Sequence, residues 1–297
     1  MRIFLTGSTG FIGSAVCREL LAAGHEVLGL ARSDKGAAAL AAAGAQAYRG
    51  DIEDLAGLHR GAAACDGVIH TAFDHDFTHF VENCRKDRRA IEALGAALAG
   101  TARPLVIASS TAMGLSTPGV AAAEDEFDPS HPNPRVASEL AGQALLDRGV
   151  NVVTVRLSQI HDPAKQGLVT DVIALARRTG FSAYVGEGAN CWSAAHLSDT
   201  ARLFRLALEQ GGAGERFHAT DEGAIPFREI AHAVGRSLGV PVRSMASTEA
   251  MDHFGWLAAF VDKDMSASSV LTRERLGWRP SGPGLLADLA AMPHAPA

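Results

Sequence analysis

The sequence predicts an α/β protein: a doubly wound parallel sheet with a smaller, discontinuous C-terminal lobe. Three observations carry this. Short apolar runs alternate with segments of helical period as far as Leu157, and uninterrupted apolar runs belong to strands covered on both faces. A glycine-rich turn joins the first such run to the first helical segment. After Leu157 the rhythm degrades, because Gly, Pro and His cut the segments short.

In order, Ile3 to Thr6 is the first strand and stops at Gly7. Phe11 to Ala23 keeps Ile12, Val16 and Leu20 on one face, with Arg18 and Glu19 outside, and ends at Gly24, the pattern of an amphipathic helix with a glycine stop. Glu26 to Ala31 is a second strand, Lys35 to Ala43 an alanine-rich helix ended by Gly44, Gln46 to Arg49 a third strand and Gly67 to Thr71 a fourth. Phe77 to Ala99 predicts a long helix, Leu105 to Ala108 a fifth strand, Pro134 to Arg148 a helix and Asn151 to Leu157 a sixth strand. Beyond it, helices are expected at Asp171 to Thr179, Asp199 to Gln210, Pro226 to Leu238 and Ser266 to Leu276, and Arg216 to Thr220 is a candidate strand to rejoin the sheet. The expected division is residues 1–157, rejoined by about 197–221, as one domain, with 158–196 and 222–297 as the second lobe.

Hydrophobic residues make up 47% of the chain and charged ones 20%, which supplies a core and excludes disorder as the dominant state. A net charge of −6 and the lack of any basic block argue against nucleic acid or an anionic membrane surface as partner. The four cysteines, Cys17, Cys65, Cys84 and Cys191, form no C-x-x-C pair and read as reduced thiols. Met1 to Leu5 lacks the pattern of a secretory leader, and Pro104 to Ala123 is too broken to span a membrane. The expectation is therefore a cytoplasmic protein. His75 and His79 are four apart but have no third ligand at suitable spacing, so no metal is expected.

The strongest signal is Thr6-Gly7-Ser8-Thr9-Gly10-Phe11-Ile12-Gly13. A G-x-x-G-x-x-G turn between a strand and a helix is the context in which a Rossmann domain binds a dinucleotide. Gly7 permits the tight turn, Gly10 lets the backbone approach a pyrophosphate, and Gly13 allows close helix–strand packing, while the helix head offers N–H donors. Gly7, Thr9, Gly10, Phe11, Ile12 and Gly13 are thus the candidate phosphate-binding residues. At the end of the second strand, where an acid would bond the ribose 2′-hydroxyl of NAD, stand Arg32 and Ser33. Arg32 can pair with a 2′-phosphate and Ser33 can add a donor, so NADP is favoured, with NAD as the alternative.

Thr6 to Gly13, Gly50-Asp51-Ile52, Val68-Ile69-His70-Thr71-Ala72 and Val106-Ile107-Ala108-Ser109-Ser110 together resemble the extended short-chain dehydrogenase/reductase family, which includes sugar-nucleotide epimerases and dehydratases and 3β-hydroxysteroid dehydrogenases. Val155-Arg156-Leu157-Ser158 and Ala195-His196-Leu197-Ser198-Asp199 are similar to later segments of the same family. The resemblance implies that Asp51 and Ile52 flank the adenine, Thr71 and Ala72 the pyrophosphate and ribose, and Ser109, Ser110 and Leu157 the nicotinamide. One departure stands out. The family's Tyr-x-x-x-Lys pair is absent: the only two tyrosines are Tyr48 and Tyr184, followed four places on by Ile52 and Gly188. The aligned segment is Arg135-Val136-Ala137-Ser138-Glu139. Arg135 cannot give up a proton at a useful pH. Four residues apart on one helix face, Arg135 and Glu139 read either as an ordinary salt bridge or as contacts to ribose or a substrate carboxylate.

Replacement chemistry would fall to Ser110 and Thr111 at the carboxyl end of the fifth strand, or to His161 after the sixth, which titrates near neutrality. Candidate substrate contacts are His75, in the polar run Phe73 to Phe77, and Tyr184 and Trp192, which with His196, Phe181 and Trp256 would give the cleft a largely apolar side. The leading expectation is an NADP-dependent oxidoreductase acting on a small or hydrophobic carbonyl or secondary alcohol. An epimerase, isomerase or dehydratase of the same fold, or a non-catalytic NADP-binding sensor, stays open beside it. The resemblance also implies a homodimer through the helices 77–99 and 134–148, whose alanine-rich faces carry Ala90, Ala93, Ala97, Ala137, Ala141 and Ala144.

Overall fold

The computed structural model describes residues 1–115, 117 and 119–292. Seven parallel strands form the central sheet in the order β3, β2, β1, β4, β5, β6, β10. They are β1 (Arg2–Thr6), β2 (Glu26–Ala31), β3 (Gln46–Arg49), β4 (Gly67–His70), β5 (Leu105–Ser110), β6 (Val152–Leu157) and, after three intervening strands described below, β10 (Arg216–Ala219). The order reverses between β1 and β4, which makes the carboxyl ends of these two strands the switch point where open α/β sheets bind ligands.

Each face of the sheet has its own apolar layer, as strand alternation requires. Ile3, Leu5, Val106 and Val153 pack with residues of α1 (Phe11–Ala22) and α7 (Leu197–Gln210). Phe4, Leu30, Val68 and Ile107 point the other way, onto α3 (Leu55–Ala63), α4 (Phe80–Ala96) and α5 (Val136–Leu146). The first layer extends outward to Leu40 of α2 (Asp34–Ala42). The remaining elements are β7 (Gln159–His161), α6 (Val169–Thr179), β8 (Ser182–Val185), β9 (Cys191–His196), β11 (Glu222–Pro226), α8 (Phe227–Leu238), β12 (Val242–Met245), the short α9 (Ala250–Phe254) and α10 (Ala258–Val261), α11 (Val270–Leu276) and α12 (Leu285–Ala290). Within this set β11, β9 and β7 make a three-stranded sheet and β12 pairs with β8. A third apolar cluster lies among them, built on Trp192, Phe227, Ile230 and Leu285.

Three expectations need correction. α3 has no counterpart in the sequence reading, since Gly57 and Gly61 dilute its helical pattern; Asp54 nevertheless caps it, accepting from Gly57 N at 2.8 Å. The helix expected from Ser266 begins only at Val270, because Ala267 pairs with Ala122 and Ser268 Oγ accepts from Val270 N at 3.1 Å. The helix expected from Phe77 opens as a 3₁₀ turn, Phe77–His79, capped by Asp76, before α4 proper. The expected strand at Arg216 does rejoin the sheet, parallel to β6. Among the described residues no helix is long and apolar enough to cross a membrane.

Candidate active site

The turn after β1 leaves no room for side chains. Gly7 has φ +69°, and a Cβ there would come within 2.7 Å of Ala72 N. A Cβ on Gly13 would stand 2.1 Å from Gly7 O. The helix head is thus seated directly on the turn, which Gly10 N closes by donating to Gly7 O at 2.8 Å. Gly10 is also the N-cap of α1 and offers no side-chain cap, so nothing competes for the donors at the positive end of the helix. Thr9 is exposed beside it, and Phe11 and Ile12 are half-buried.

At the end of β2, Arg32 is exposed and its side chain has no hydrogen-bond or ion-pair partner among the described residues. Ser33 caps α2: its Oγ accepts from Gly36 N at 3.1 Å, which leaves the hydroxyl proton free. Asp34, the acid nearest to Arg32 in sequence, lies 3.2 Å from Arg49 Nη2 of β3, a cation the sequence reading did not single out. Asp51 and Ile52 are half-buried past the end of β3, with Asp51 Oδ1 accepting from Glu53 N at 3.0 Å. Thr71 Oγ1 donates to Thr6 O at 2.8 Å, which ties the end of β4 to the glycine turn, and Ala72 follows it.

Arg135 and Glu139 do not pair with each other. They feed two separate buried networks, because Arg135 lies one residue before the first turn of α5 and turns toward α4. Arg135 Nη1 donates to Asp87 Oδ2 at 2.6 Å and to Ser138 Oγ at 2.6 Å, and Nη2 donates to Ala108 O at 3.0 Å. Asp87 Oδ1 lies 3.0 Å from His70 Nε2, and His70 Nδ1 lies 2.7 Å from Thr6 Oγ1. Burial alone would raise the Asp87 pKa, but Arg135, His70 and Ser138 together bring it down to about 2. The carboxylate is therefore ionised, and His70 Nε2 carries the proton it donates. Glu139 instead takes a bidentate pair from the fully buried Arg156, 2.8 Å on each oxygen, along with Ser109 Oγ at 2.7 Å and Arg216 Nε at 3.1 Å.

Ser109 and Ser110 face opposite sides of the sheet, so only one hydroxyl is available. Ser109 is buried and engaged by Glu139, whereas Ser110 is partly exposed and its Oγ accepts from Ala112 N at 3.3 Å. Thr111 is buried, with Oγ1 3.5 Å from Leu157 O on the adjacent strand. His161 departs from the expectation of an accessible proton donor. It is 0% exposed, its Nδ1 is 2.7 Å from Asp288 Oδ2 of α12, and its Nε2 meets no partner among the described residues. Burial, working against the Asp288 contact, lowers its pKa.

Trp192 is likewise not at an open cleft. It is fully buried in the second lobe's own core, its ring 4.7 Å from that of Phe227, since β9 is covered on that face by α8. Tyr184 is half-buried near His232, at 6.0 Å between centroids, and Phe181 stacks on His253 at 4.8 Å. These rings pack against His253 of α9 and His232 of α8. His75 lies beside the carboxyl edge of the large sheet, its ring 5.4 Å from Phe73.

His218 on β10 makes the networks sensitive to acid. Its Nδ1 donates to Ser268 O at 2.8 Å and its Nε2 accepts from Arg156 Nη1 at 3.3 Å. Burial first, then the Arg156 charge, brings its pKa down to about 3. The folded chain thus refuses a proton that the unfolded chain accepts below about 6.5. This contribution to stability is intact above that pH and is lost as pH falls toward about 3, on the order of 5 kcal/mol across the whole window. Urea midpoints measured from pH 7 to pH 4 should fall accordingly, and His218→Gln should flatten the decline; an equally steep decline in the variant would remove His218 from this role.

The architecture and the site define a class before any individual. A family model for the NAD dependent epimerase/dehydratase family matches residues 3–219, and the chain belongs to that family. It is 48% identical to an uncharacterized protein of Schizosaccharomyces pombe over 98% of this chain and 99% of that one. It is 28% identical to a UDP-glucose 4-epimerase of Streptomyces lividans over 99% and 94% of the two chains, and 28% identical to a 2-alkyl-3-oxoalkanoate reductase of Stenotrophomonas maltophilia over 81% and 77%. Among solved structures, the dTDP-glucose 4,6-dehydratase of Streptomyces venezuelae, determined with NAD bound, superposes with a TM-score of 0.77 at 24% identity over 98% of this chain and 95% of that one.

Proposed function

We propose that the chain is an NADP-dependent oxidoreductase that interconverts a small carbonyl compound and its secondary alcohol. The observation that carries the reading is the glycine cradle at the head of α1, where a Cβ at Gly13 would meet Gly7 O at 2.1 Å. A turn kept free of side chains beside a helix head whose N-cap offers no side chain fits a pyrophosphate. The amides of Phe11 and Ile12 would hold it, with Thr9, Thr71 and Ala72 beside it. Asp51 and Ile52 would flank the adenine, and Leu157 and Ser110 the nicotinamide, whereas Ser109, turned to the other face and held by Glu139, would support them from behind. Arg32 and the Ser33 hydroxyl would take the 2′-phosphate, while Arg49 offsets the nearby charge of Asp34. When bound, the cofactor supplies or accepts a hydride at the substrate's carbonyl carbon. Kinship with a named reductase supports carbonyl chemistry, and equal kinship with a named epimerase keeps epimerisation as the second reading.

In this reading Ser110 donates a hydrogen bond to the carbonyl oxygen and relays to it a proton from water, so the serine ends neutral. A hydroxyl relay is a weaker acid device than a dedicated acid, and slow turnover follows. Ser110→Ala should lower kcat about 10²-fold, within the range for loss of a positioned proton donor, with NADPH affinity unchanged. Full turnover in the variant on a true substrate would exclude the assignment. His161 is given a positioning role only, holding β7 to α12 through Asp288.

The cofactor choice has its own test. Arg32→Ala should weaken NADPH by roughly 1–3 kcal/mol, as for a lost charge-assisted hydrogen bond, and leave NADH nearly untouched. Equal loss for both in calorimetric titration would rule Arg32 out of the 2′-phosphate site. We also propose a homodimer through α4 and α5. The small-residue faces are partly used within the monomer, since Ala90 and Ala141 are buried there. Light scattering near 30.9 kDa would contradict the dimer.

A further inference from the structure

Arg135 has more donors than the protein uses. With Nη1 spent on Asp87 and Ser138 and one Nη2 proton on Ala108 O, its Nε and the second Nη2 proton have no acceptor among the described residues. Arg156 gives the contrast: Nε, Nη1 and Nη2 all find partners, and its side chain is 0% exposed. The Arg135 side chain keeps 12% exposure, and its guanidinium lies 4.1 Å over the Phe73 ring. One face is thus covered by an aromatic ring and one nitrogen is pinned by a buried carboxylate. Nε–H and an Nη2–H lie side by side on one edge of a guanidinium, the edge that grips a carboxylate with two parallel bonds.

The location makes those donors a ligand's. Arg135 is fastened to Ala108 near the carboxyl end of β5 and to Phe73 just past β4, beside the switch point of the sheet. A second cation, Lys165, lies at the head of α1. Lys165, in the turn after β7, is exposed, and its Nζ has no hydrogen bond or ion pair among the described residues; it lies 5.7 Å from the Phe11 ring centroid at the head of α1. His75 packs on Phe73, the ring that Arg135 covers, and feels both charges. Partial desolvation first, then the charges of Lys165 and Arg135, hold its pKa down. Asp74 is engaged with Lys86 at 3.2 Å, Asp76 with Thr78 and His79, and Asp162 with the amides of Ala164 and Lys165; Asp171 is near enough to feel the Lys165 charge but makes no ion pair with it among the described residues.

We propose that Arg135 is a substrate-binding residue that selects oxo acids, taking the substrate's carboxylate on its unpaired Nε and Nη2 donors while Lys165 adds long-range attraction for the same charge. The substrate class is then a small carbonyl compound carrying a carboxylate rather than a neutral ketone. The carbonyl half of this assignment rests on the oxidoreductase reading above; the carboxylate half does not.

The wild-type protein with NADPH tests it directly. 2-Oxobutanoate and 3-oxobutanoate are compared with their methyl esters, which keep the ketone and lose the charge. In parallel, calorimetry follows binding of each acid to the protein–NADP complex. Loss of a charge-assisted bond predicts that kcat/KM for the acids exceeds that of the esters by about 10- to 100-fold, mostly through KM. Arg135→Lys, which keeps the charge facing Asp87 but lacks the two-donor edge, should raise KM for the acids by a similar factor, and Lys165→Gln by a smaller one. Esters reduced as well as acids would overturn the carboxylate site and leave the oxidoreductase reading standing. Acids that bind in an Arg135-dependent way with no carbonyl ever reduced would keep the anion site and sink the oxidoreductase reading. Neither binding nor reduction of any acid would overturn the proposal in the wild-type protein, whatever the variants do.

Discussion

Glu139→Gln should lose about 3–5 kcal/mol of stability, the range for breaking a buried pair by removing one partner. The amide keeps the shape of the side chain but strips the only carboxylate bonded to Arg156 among the described residues, a guanidinium whose side chain is 0% exposed. Arg216, at 17% exposure, can turn outward; Arg156 cannot. Ser109 would also face an amide in place of an anion. Urea unfolding should show the midpoint falling with an unchanged slope. A loss below about 1 kcal/mol, the worth of an exposed pair, would mean that Arg156 is hydrated and the network is misread.

Gly13→Ala should damage binding more than its single methyl suggests. The added Cβ would stand 2.1 Å from Gly7 O, 2.6 Å from Gly7 C and 2.8 Å from Thr71 Oγ1. Two of these are backbone atoms, so α1 must lift from the turn, at about 1–3 kcal/mol for such overpacking. The displaced amides then miss the pyrophosphate, and NADPH affinity should drop by about tenfold or more, equivalent to about 1.4 kcal/mol or more of binding free energy. Gly212→Ala is the control, since its nearest neighbour is the flexible Glu215 carboxylate at 3.4 Å. Fluorescence titration showing the two variants alike would remove the cradle from the binding site.

Much of this was legible in the sequence, for local reasons. β2 was readable to the residue because it is an apolar run just after a glycine-stopped helix, and β3, whose residues are more polar, because Gly44 and Gly50 bracket it. The cradle was readable because glycine spacing encodes backbone proximity directly. What stayed hidden depends on partners far apart in the chain. Arg135 and Glu139 are i,i+4 neighbours, and helix periodicity alone pairs them; only the packing of α4 and β6 onto α5 shows Asp87 and Arg156 taking them apart. One signal in the sequence does point to the second network. Arg156 stands in the run Val152-Val153-Thr154-Val155-Arg156-Leu157, and an arginine in a strand buried on both faces requires a buried carboxylate somewhere. Residue type placed Trp192 on the side of a cleft and offered His161 as a proton donor, but both side chains are fully buried.

The central claim is that a chain without Tyr-x-x-x-Lys still moves hydride between NADP and a carbonyl carbon. The direct measurement is isotope transfer from NADPH deuterated at C4 of the nicotinamide, both faces sampled, to 2-oxobutanoate and 3-oxobutanoate and their methyl esters, read by mass spectrometry of the alcohols. The account predicts one deuterium on the carbinol carbon of at least one product, from one face only, with the yield reduced about 10²-fold in Ser110→Ala. Tight NADPH binding with no deuterium in any product would contradict it and leave a protein that holds the cofactor without this chemistry.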